Sequence, residues 1–163
     1  RHLDGGYSIG IEKLAHMHKE AAVLWEAHWG ETEVNYLTRQ LDPDVERFIQ
    51  YESAAHFVEF TIRHDGKLVG HLAFFIGPNT HIAGTSIAKE DWFYVLPDHR
   101  KPGAAAELLS FAEDTLRKLG VTYMGMSDKS PCGGKSLEKF LRRSGFNPVA
   151  IAYMKELDHA PTN

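Results

Sequence analysis

Between Ile11 and Trp29 the residues Ile11, Leu14, His18, Ala21, Ala22, Trp25 and Trp29 recur at steps of three and four, the spacing that lines one face of a helix. A first helix is predicted there, ended by Gly30. A polar stretch leads to Leu41-Asp42-Pro43-Asp44, where a proline among aspartates suits the start of a second helix running to about Ala55. Val58, Phe60 and Ile62 then alternate with Glu59, Thr61 and Arg63, Asp65-Gly66 follows, and Leu68 to Ile76 is apolar, which predicts a β-hairpin. Gly77-Pro78-Asn79 breaks the second of these strands. A further strand, rich in aromatic and β-branched residues, ends at Trp92-Phe93-Tyr94-Val95, just before Pro97.

From Gly103 to Leu119 the pattern is strongly amphipathic. Ala105, Leu108, Leu109, Ala112, Leu116 and Leu119 share one face, and the other carries the i,i+4 pairs Glu113 with Arg117 and Asp114 with Lys118. Gly120 stops this helix. Val121 to Met126 is predicted as a short strand, Ser136 to Arg143 as a short helix and Phe146 to Leu157 as a last extended segment. The order α, α, β, β, β, α, β, α, β, without repeat, linker or low-complexity tract, predicts an α/β fold in one domain over residues 1–163.

Composition narrows the possible partners. With 163 residues, 43% of them hydrophobic, the chain can bury a core of its own. Eighteen Lys and Arg against 22 Asp and Glu leave a formal net charge of -4, so no global attraction to nucleic acid or to an anionic membrane is expected. The one cysteine, Cys132, cannot form an intrachain disulfide and fits a reducing compartment, with cytoplasm the default. The first residues lack the apolar core of a signal peptide, and no stretch approaches the roughly 18 apolar residues of a membrane span.

The most informative stretch is Tyr94 to Ala106, which joins a strand end, a glycine-containing turn and a helix start. Such a junction suits phosphate: unpaired N–H groups at a helix N-terminus point at the anion, the helix dipole favours its charge, and small residues let it approach the backbone. Here the sequence resembles the GNAT superfamily of acyl-CoA-dependent N-acetyltransferases, whose pyrophosphate loop reads Q/R-x-x-G-x-G/A. Arg100, Gly103 and Ala105 fill the three specified places, after the run Val95-x-Pro97-x-x-Arg100. Ser144-Gly145-Phe146-Asn147-Pro148 looks like the superfamily's short helix ending in a Gly-aromatic pair. Within that superfamily the chain looks closest to proteins of tailed phages and prophages, through Leu24 to Trp29, Phe75-Ile76-Gly77-Pro78 and Tyr153 to Leu157.

The resemblance implies a central mixed, largely antiparallel sheet flanked by helices. It also implies acetyl-CoA as cosubstrate, held by Phe93, Tyr94, Val95, Arg100, Lys101, Gly103, Ala104 and Ala105, and an amine acceptor bordered by His28 and Trp29. A homodimer is compatible with it. Two departures stand out: Lys101 replaces a usual glycine, and Pro102 removes one backbone donor from the loop. A third concerns the acid that reprotonates the leaving thiolate, often a tyrosine on the short helix, where this chain has Phe140 and Leu141. Tyr153 is the replacement candidate.

Acetyl transfer to an amine needs a base, and Glu90 and Asp91 are the only carboxylates on the strand before the loop. Simple alternation puts Asp91 on the side of Phe93 and Val95, and Glu90 on that of Trp92 and Tyr94. The superfamily's usual glutamate falls at Lys89, whose parity Asp91 shares, so Asp91 is the favoured base and Glu90 the second candidate. Cys132 as acyl carrier is disfavoured, since no histidine lies near it in sequence. Gly133-Gly134-Lys135-Ser136 is not a P-loop, because Lys129 stands where the first glycine is required. His16 and His18 point to different helix faces, and no metal site is expected. Two alternatives stay open at this level: a degenerate domain that binds without catalysing, and an acceptor amine on a protein or a modified nucleobase.

Overall fold

The computed structural model describes residues 1–33, 39–100, 103–130 and 136–157. Its first element is one the pattern above did not yield. Tyr7 and Ile9 turn into the core, Ser8 and Gly10 turn away from it, and Tyr7–Ile11 forms strand β1, paired antiparallel with β2 (Phe57–His64). Ile11 therefore ends a strand, and helix α1 begins at Leu14 and runs through Gly30 to Thr32. Its inner face is Leu14, Met17, Ala21, Leu24 and Trp25, whereas Ala22 is exposed. Lys13 offers no side-chain cap; instead the buried Glu52 of helix α2 (Val45–Ser53) accepts the Leu14 N–H at 3.2 Å. Helix α2 has a cap of its own, Asp44, whose carboxylate accepts the Arg47 N–H.

The predicted hairpin is β2 and β3 (Lys67–Pro78), joined at Asp65-Gly66, where both residues take positive φ. Strand β4 (Ser86–Val95) follows, then the short turn Pro97–His99, helix α3 (Ala104–Lys118), strand β5 (Tyr123–Gly125) and helix α4 (Glu138–Arg143). The five strands lie in sequence order in one sheet, antiparallel throughout except for the parallel pair β4–β5. The expected α/β architecture, a mixed and largely antiparallel sheet flanked by helices, is the one observed.

The sheet has a core on each face. Phe60, Ile62, Leu72, Phe74 and Val95 meet Leu108, Leu109, Ala112 and Leu116 of α3. On the other face Phe57, Ala73 and Tyr94 meet the inner side of α1, with Phe48 and Ile49 of α2 closing one end. Strands β2, β3 and β4 approach one another so closely that a Cβ at Gly70 would stand 2.8 Å from Ile62 Cγ2 and 2.9 Å from Val95 Cγ2. Gly70→Ala is expected to destabilise the domain by about 1–3 kcal/mol, the usual cost of overpacking, read as a lower urea midpoint at unchanged slope.

The last predicted strand is not observed. Phe146 to Leu157 is without regular structure, with Val149 94% and Tyr153 93% exposed. Alternating apolar residues make a strand only when they pair with a neighbour, and among the described residues none pairs with this segment.

Candidate active site

Two features of β4 build the site. Its pairing with β5 covers only Ile87 to Lys89 against Tyr123 to Gly125, so among the described residues that edge of β4 stands open from Glu90 to Val95. At Asp91 the strand also bulges: Phe74 pairs with Glu90 and Ala73 with Trp92, which leaves Asp91 as the extra residue. In the gap lies a cavity of about 350 Å³. Its walls are Glu90, Phe93, Tyr94 and Val95 from β4, His28, Glu31 and Thr32 from the end of α1, and Ala105, Ser127, Lys129 and Phe140 from the far side.

The open edge presents backbone donors. Leu96 N–H bonds to Val69 O on the β3 side, and successive residues of a strand face opposite edges, so the N–H groups of Phe93 and Val95 point into the gap. The carbonyl of Val95 points there too and accepts Arg100 Nε–H at 2.7 Å. Arg100 is held on three sides: it donates to both oxygens of Glu31, at 2.9 and 3.1 Å, and lies over the Tyr94 ring, 5.0 Å from its centroid. Tyr94 in turn donates its hydroxyl to Glu31 at 2.7 Å. Burial opposes the Glu31 charge, but these hydrogen bonds outweigh it and hold its carboxyl below the usual range. Burial, with Glu31 as acceptor, pushes the Tyr94 hydroxyl up to about 12. His28 stacks on Tyr94 at 5.1 Å, and burial, reinforced by His71 and Lys129, drops its imidazole to about 4, so it is neutral at physiological pH.

The bulge changes the roles available to the two carboxylates. Glu90 now shares its side with Phe93 and lines the cavity, whereas Asp91 lies with Trp92, near Glu59 and His71, and does not line it. The expected parity of Asp91 with Phe93 and Val95 is thus corrected, because the extra residue resets the alternation. Glu90 is half-buried and accepts the Ser127 N–H at 3.2 Å. Burial lifts its carboxyl to about 7 against that hydrogen bond, with the Asp91 charge adding to the rise. Asp91 rises to about 6 through local loss of water and the nearness of Glu59, but the residue is exposed overall and solvent screens its charge more.

Of the residues expected from sequence, Glu90, Phe93, Tyr94, Val95, Arg100, Ala105 and His28 come together around the cavity. Gly103, at φ +102°, caps α3, and Ala104 is its first residue; neither lines the cavity. Trp29 is half-buried and does not line it. Tyr153 is corrected: without a strand to carry it inward, it stands in solvent. Lys101, Pro102 and Cys132 lie outside the described residues. Sequence reasoning missed Glu31 and Thr32, one turn beyond His28, because Gly30 was taken as the end of a helix that continues past it. Phe140, noted as a departure, stacks on Phe93 with centroids 6.0 Å apart and supplies a wall but no proton. Among the described residues no group of three or more His, Cys, Asp or Glu could hold a metal ion, and no helix is long and apolar enough to cross a membrane.

A family model described as "Acetyltransferase (GNAT) family" matches residues 21–146. No curated protein matches the chain in sequence. Among solved structures it is similar to a ribosomal-protein-alanine N-acetyltransferase from Brucella melitensis biovar Abortus 2308. The TM-score there is 0.69 at 22% identity, over 93% of this chain and 99% of that one. An aminoglycoside acetyltransferase from an uncultured soil metagenomic sample gives 0.74 at 15% identity, over 96% and 100%. A predicted acetyltransferase with acetyl-CoA from Clostridium acetobutylicum gives 0.69 at 10%, over 93% and 96%. At these identities the likeness is one of fold.

Proposed function

The chain belongs to the acetyltransferase (GNAT) family, and on that premise we propose that it moves the acetyl group of acetyl-CoA directly onto a primary amine in the gap beside β4. The observation that carries this reading is the pairing of Glu90 with the open edge of β4 in one cavity: a carboxyl lifted to about 7 opposite two backbone donors. The N–H groups of Phe93 and Val95 donate to the thioester carbonyl oxygen and strengthen their hold as negative charge gathers on it. Glu90 takes a proton from the acceptor ammonium, and the free amine attacks the carbonyl carbon. The C–N bond forms, the C–S bond breaks, the surplus proton of the nitrogen passes to the departing sulfur, and CoA leaves as the thiol along the side where the start of α3, capped by Gly103, favours its anionic tail.

The Arg100 side chain stays with Glu31 and Val95 in this reading, so its first service is to fix the wall between cosubstrate and acceptor. Phe140 in place of a hydroxyl-bearing residue favours one rival, a domain that binds CoA without turnover. The narrower kinship with proteins of tailed phages is supported by the sequence segments Leu24 to Trp29, Phe75 to Pro78 and Tyr153 to Leu157 alone.

One experiment separates these readings: thiol release from acetyl-CoA across a panel of primary amines, together with calorimetric binding of CoA. Release that depends on the amine is expected. Binding without release leaves the rival, and absence of both removes the assignment.

A further inference from the structure

A second cavity lies at the end of α2, where β3 and β4 run on past it. Residues of these strands alternate between the two sheet faces, and Phe74, Ile76 and Ala88 pack toward α3, so Phe75, Gly77, Ile87 and Lys89 share the opposite face. Register sets Phe75 beside Lys89 and Gly77 beside Ile87. Over these four stands a cleft of about 450 Å³, walled by Tyr51 of α2 and by His56. The wall is fixed: His56 N–H bonds Tyr51 O at 2.8 Å, His56 Nδ1–H donates to Ile76 O at 3.1 Å, and Tyr51 meets Phe75 edge to face at 5.5 Å. Gly77 leaves room in the floor, since among the described residues a Cβ there would meet nothing within 4 Å.

The floor is apolar apart from one cation. Phe75 and Ile87 are half-buried, Lys89 is exposed, and among the described residues no carboxylate lines the cleft. Arg63, Arg100 and Lys129 have carboxylate partners at 2.7, 2.9 and 2.8 Å, whereas Lys89 has neither an ion pair nor a hydrogen bond from its side chain to any described residue. Lysine is disfavoured in strands, and this one stands in β4 between paired neighbours on both sides, Phe75 of β3 and Gly125 of β5. The cleft also adjoins the active-site gap. Among the described residues Lys89 and Gly125 are the last pair of β4 and β5, and the gap opens at Glu90, one residue or roughly 3.3 Å further along the strand. Met124 packs toward α3, so Gly125 belongs to the face of the cleft and carries no side chain there.

We infer that this cleft is the acceptor's specificity subsite, and that the acceptor is a small amine bearing an anionic group, a carboxylate or a phosphate, on an apolar body the size of a ring. Lys89 donates to the anion, the body lies on Phe75, Ile87 and the bare Gly77, and the amine enters the gap, where Glu90 takes its proton. The assignment rests on the acetyltransferase reading of the gap and names the substrate class which that reading leaves open. The volume of the cleft is that of a small-molecule site. An anion anchored at Lys89 turns the other end of the molecule toward Glu90, the next residue of the strand.

Thiol release from acetyl-CoA by the full chain tests this with four amines of one shape added to the panel. They are para-(aminomethyl)benzoate, para-(aminomethyl)phenyl phosphate, the neutral para-(aminomethyl)benzamide and the diamine para-xylylenediamine. The better anionic member should exceed the amide in kcat/KM by about tenfold, the low end for a hydrogen bond between charged groups because Lys89 keeps part of its water. Which of the two anions is better separates carboxylate from phosphate. Lys89→Gln should bring the ratio close to one, and Lys89→Glu should turn the preference to the diamine. Gly77→Val places a strand-forming residue in open space, so it should fold and raise the KM of the ring amines more than that of ethylamine. Calorimetry should give each variant the wild-type Kd for acetyl-CoA.

A wild-type ratio near one, a panel in which only amines without an anion turn over, or a ratio that neither Lys89 variant moves would each overturn the inference. Wild-type protein that releases no thiol with any amine sinks the acetyltransferase reading instead, and the cleft is then judged by binding alone. Para-toluate, which has the anion and the ring but no amine, should bind the wild type at least about tenfold more tightly than Lys89→Glu. Equal binding to both, or binding to neither, overturns the subsite.

Discussion

Glu90→Gln is expected to lower kcat for acetyl transfer by about 10²-fold or more, the range typical of general-base loss, with acetyl-CoA affinity little changed. The residue stands inside the cavity, half-buried, with Ser127 N–H holding one of its oxygens at 3.2 Å. Burial places its ionisation at about 7, so wild-type kcat should fall as pH drops below that value and the carboxyl keeps its proton. The variant should lack this limb and regain activity only as pH nears the acceptor's own pKa and free amine becomes abundant. Asp91→Asn, exposed and outside the cavity, should change kcat far less; a dead Asp91→Asn beside an active Glu90→Gln would show that the bulge does not orient these carboxyls as described.

Stability should move in the opposite direction. In the unfolded chain this carboxyl loses its proton near its ordinary value of 4.5, and in the folded one near 7. Between those values the unfolded state binds fewer protons, so stability falls as pH rises. The full penalty above pH 7 is at most about 3 kcal/mol, less whatever screening its partial exposure allows. Glu90→Gln removes it. The variant should therefore be more stable than wild type above pH 7, with the advantage shrinking as pH falls toward 4.5. Chemical denaturation at pH 5 and pH 8 reads this difference, and a variant less stable at both would remove the case for a strained carboxyl.

The parts legible in sequence were those whose signal is local. Helix α3 announces itself because Leu108, Leu109, Ala112 and Leu116 obey one period and nothing competes with it. Arg100, Gly103 and Ala105 mark the loop by type and spacing alone. What stayed hidden depends on partners distant in the chain. Strand β1 is five residues with a glycine among them, and only pairing with β2 makes it a strand. The bulge at Asp91 is a mismatch between β3 and β4 and leaves no mark on β4 itself, which is why parity chose the wrong carboxyl for the cavity. Glu31 meets Arg100 across 69 residues of sequence, and Glu59 meets His71 only because two strands are in register. Conversely, Val149, Ile151 and Tyr153 alternate as a strand should, yet pattern without pairing does not make one.

Gly103→Val should abolish the rise in melting temperature that CoA confers on the wild type and weaken CoA binding by at least about tenfold. Gly103 is the N-cap of α3 and has φ +102°, a region that a β-branched residue occupies only under strain. Such a backbone costs about 1–3 kcal/mol, and each kcal/mol is worth about 2–4 °C in a domain of this size, so the ligand-free variant should melt several degrees lower while remaining folded. Crowding by the described residues is not the cause, since among them a Cβ here would meet nothing within 4 Å. Gly103 gives the helix no side-chain cap, so among the described residues the first-turn N–H groups of α3 remain available to an anion. Valine both fills the space and pulls the turn away from the φ that aims those groups. Gly103→Ala separates the two effects: it carries much of the strain with little of the bulk, and should bind CoA with intermediate affinity. Because a ligand stabilises the native state by RT ln(1 + [L]/Kd), the shift in melting temperature must shrink as the Kd from calorimetry rises. A Gly103→Val protein that melts early yet binds CoA as the wild type does would show that the cosubstrate's phosphates are held somewhere other than this turn.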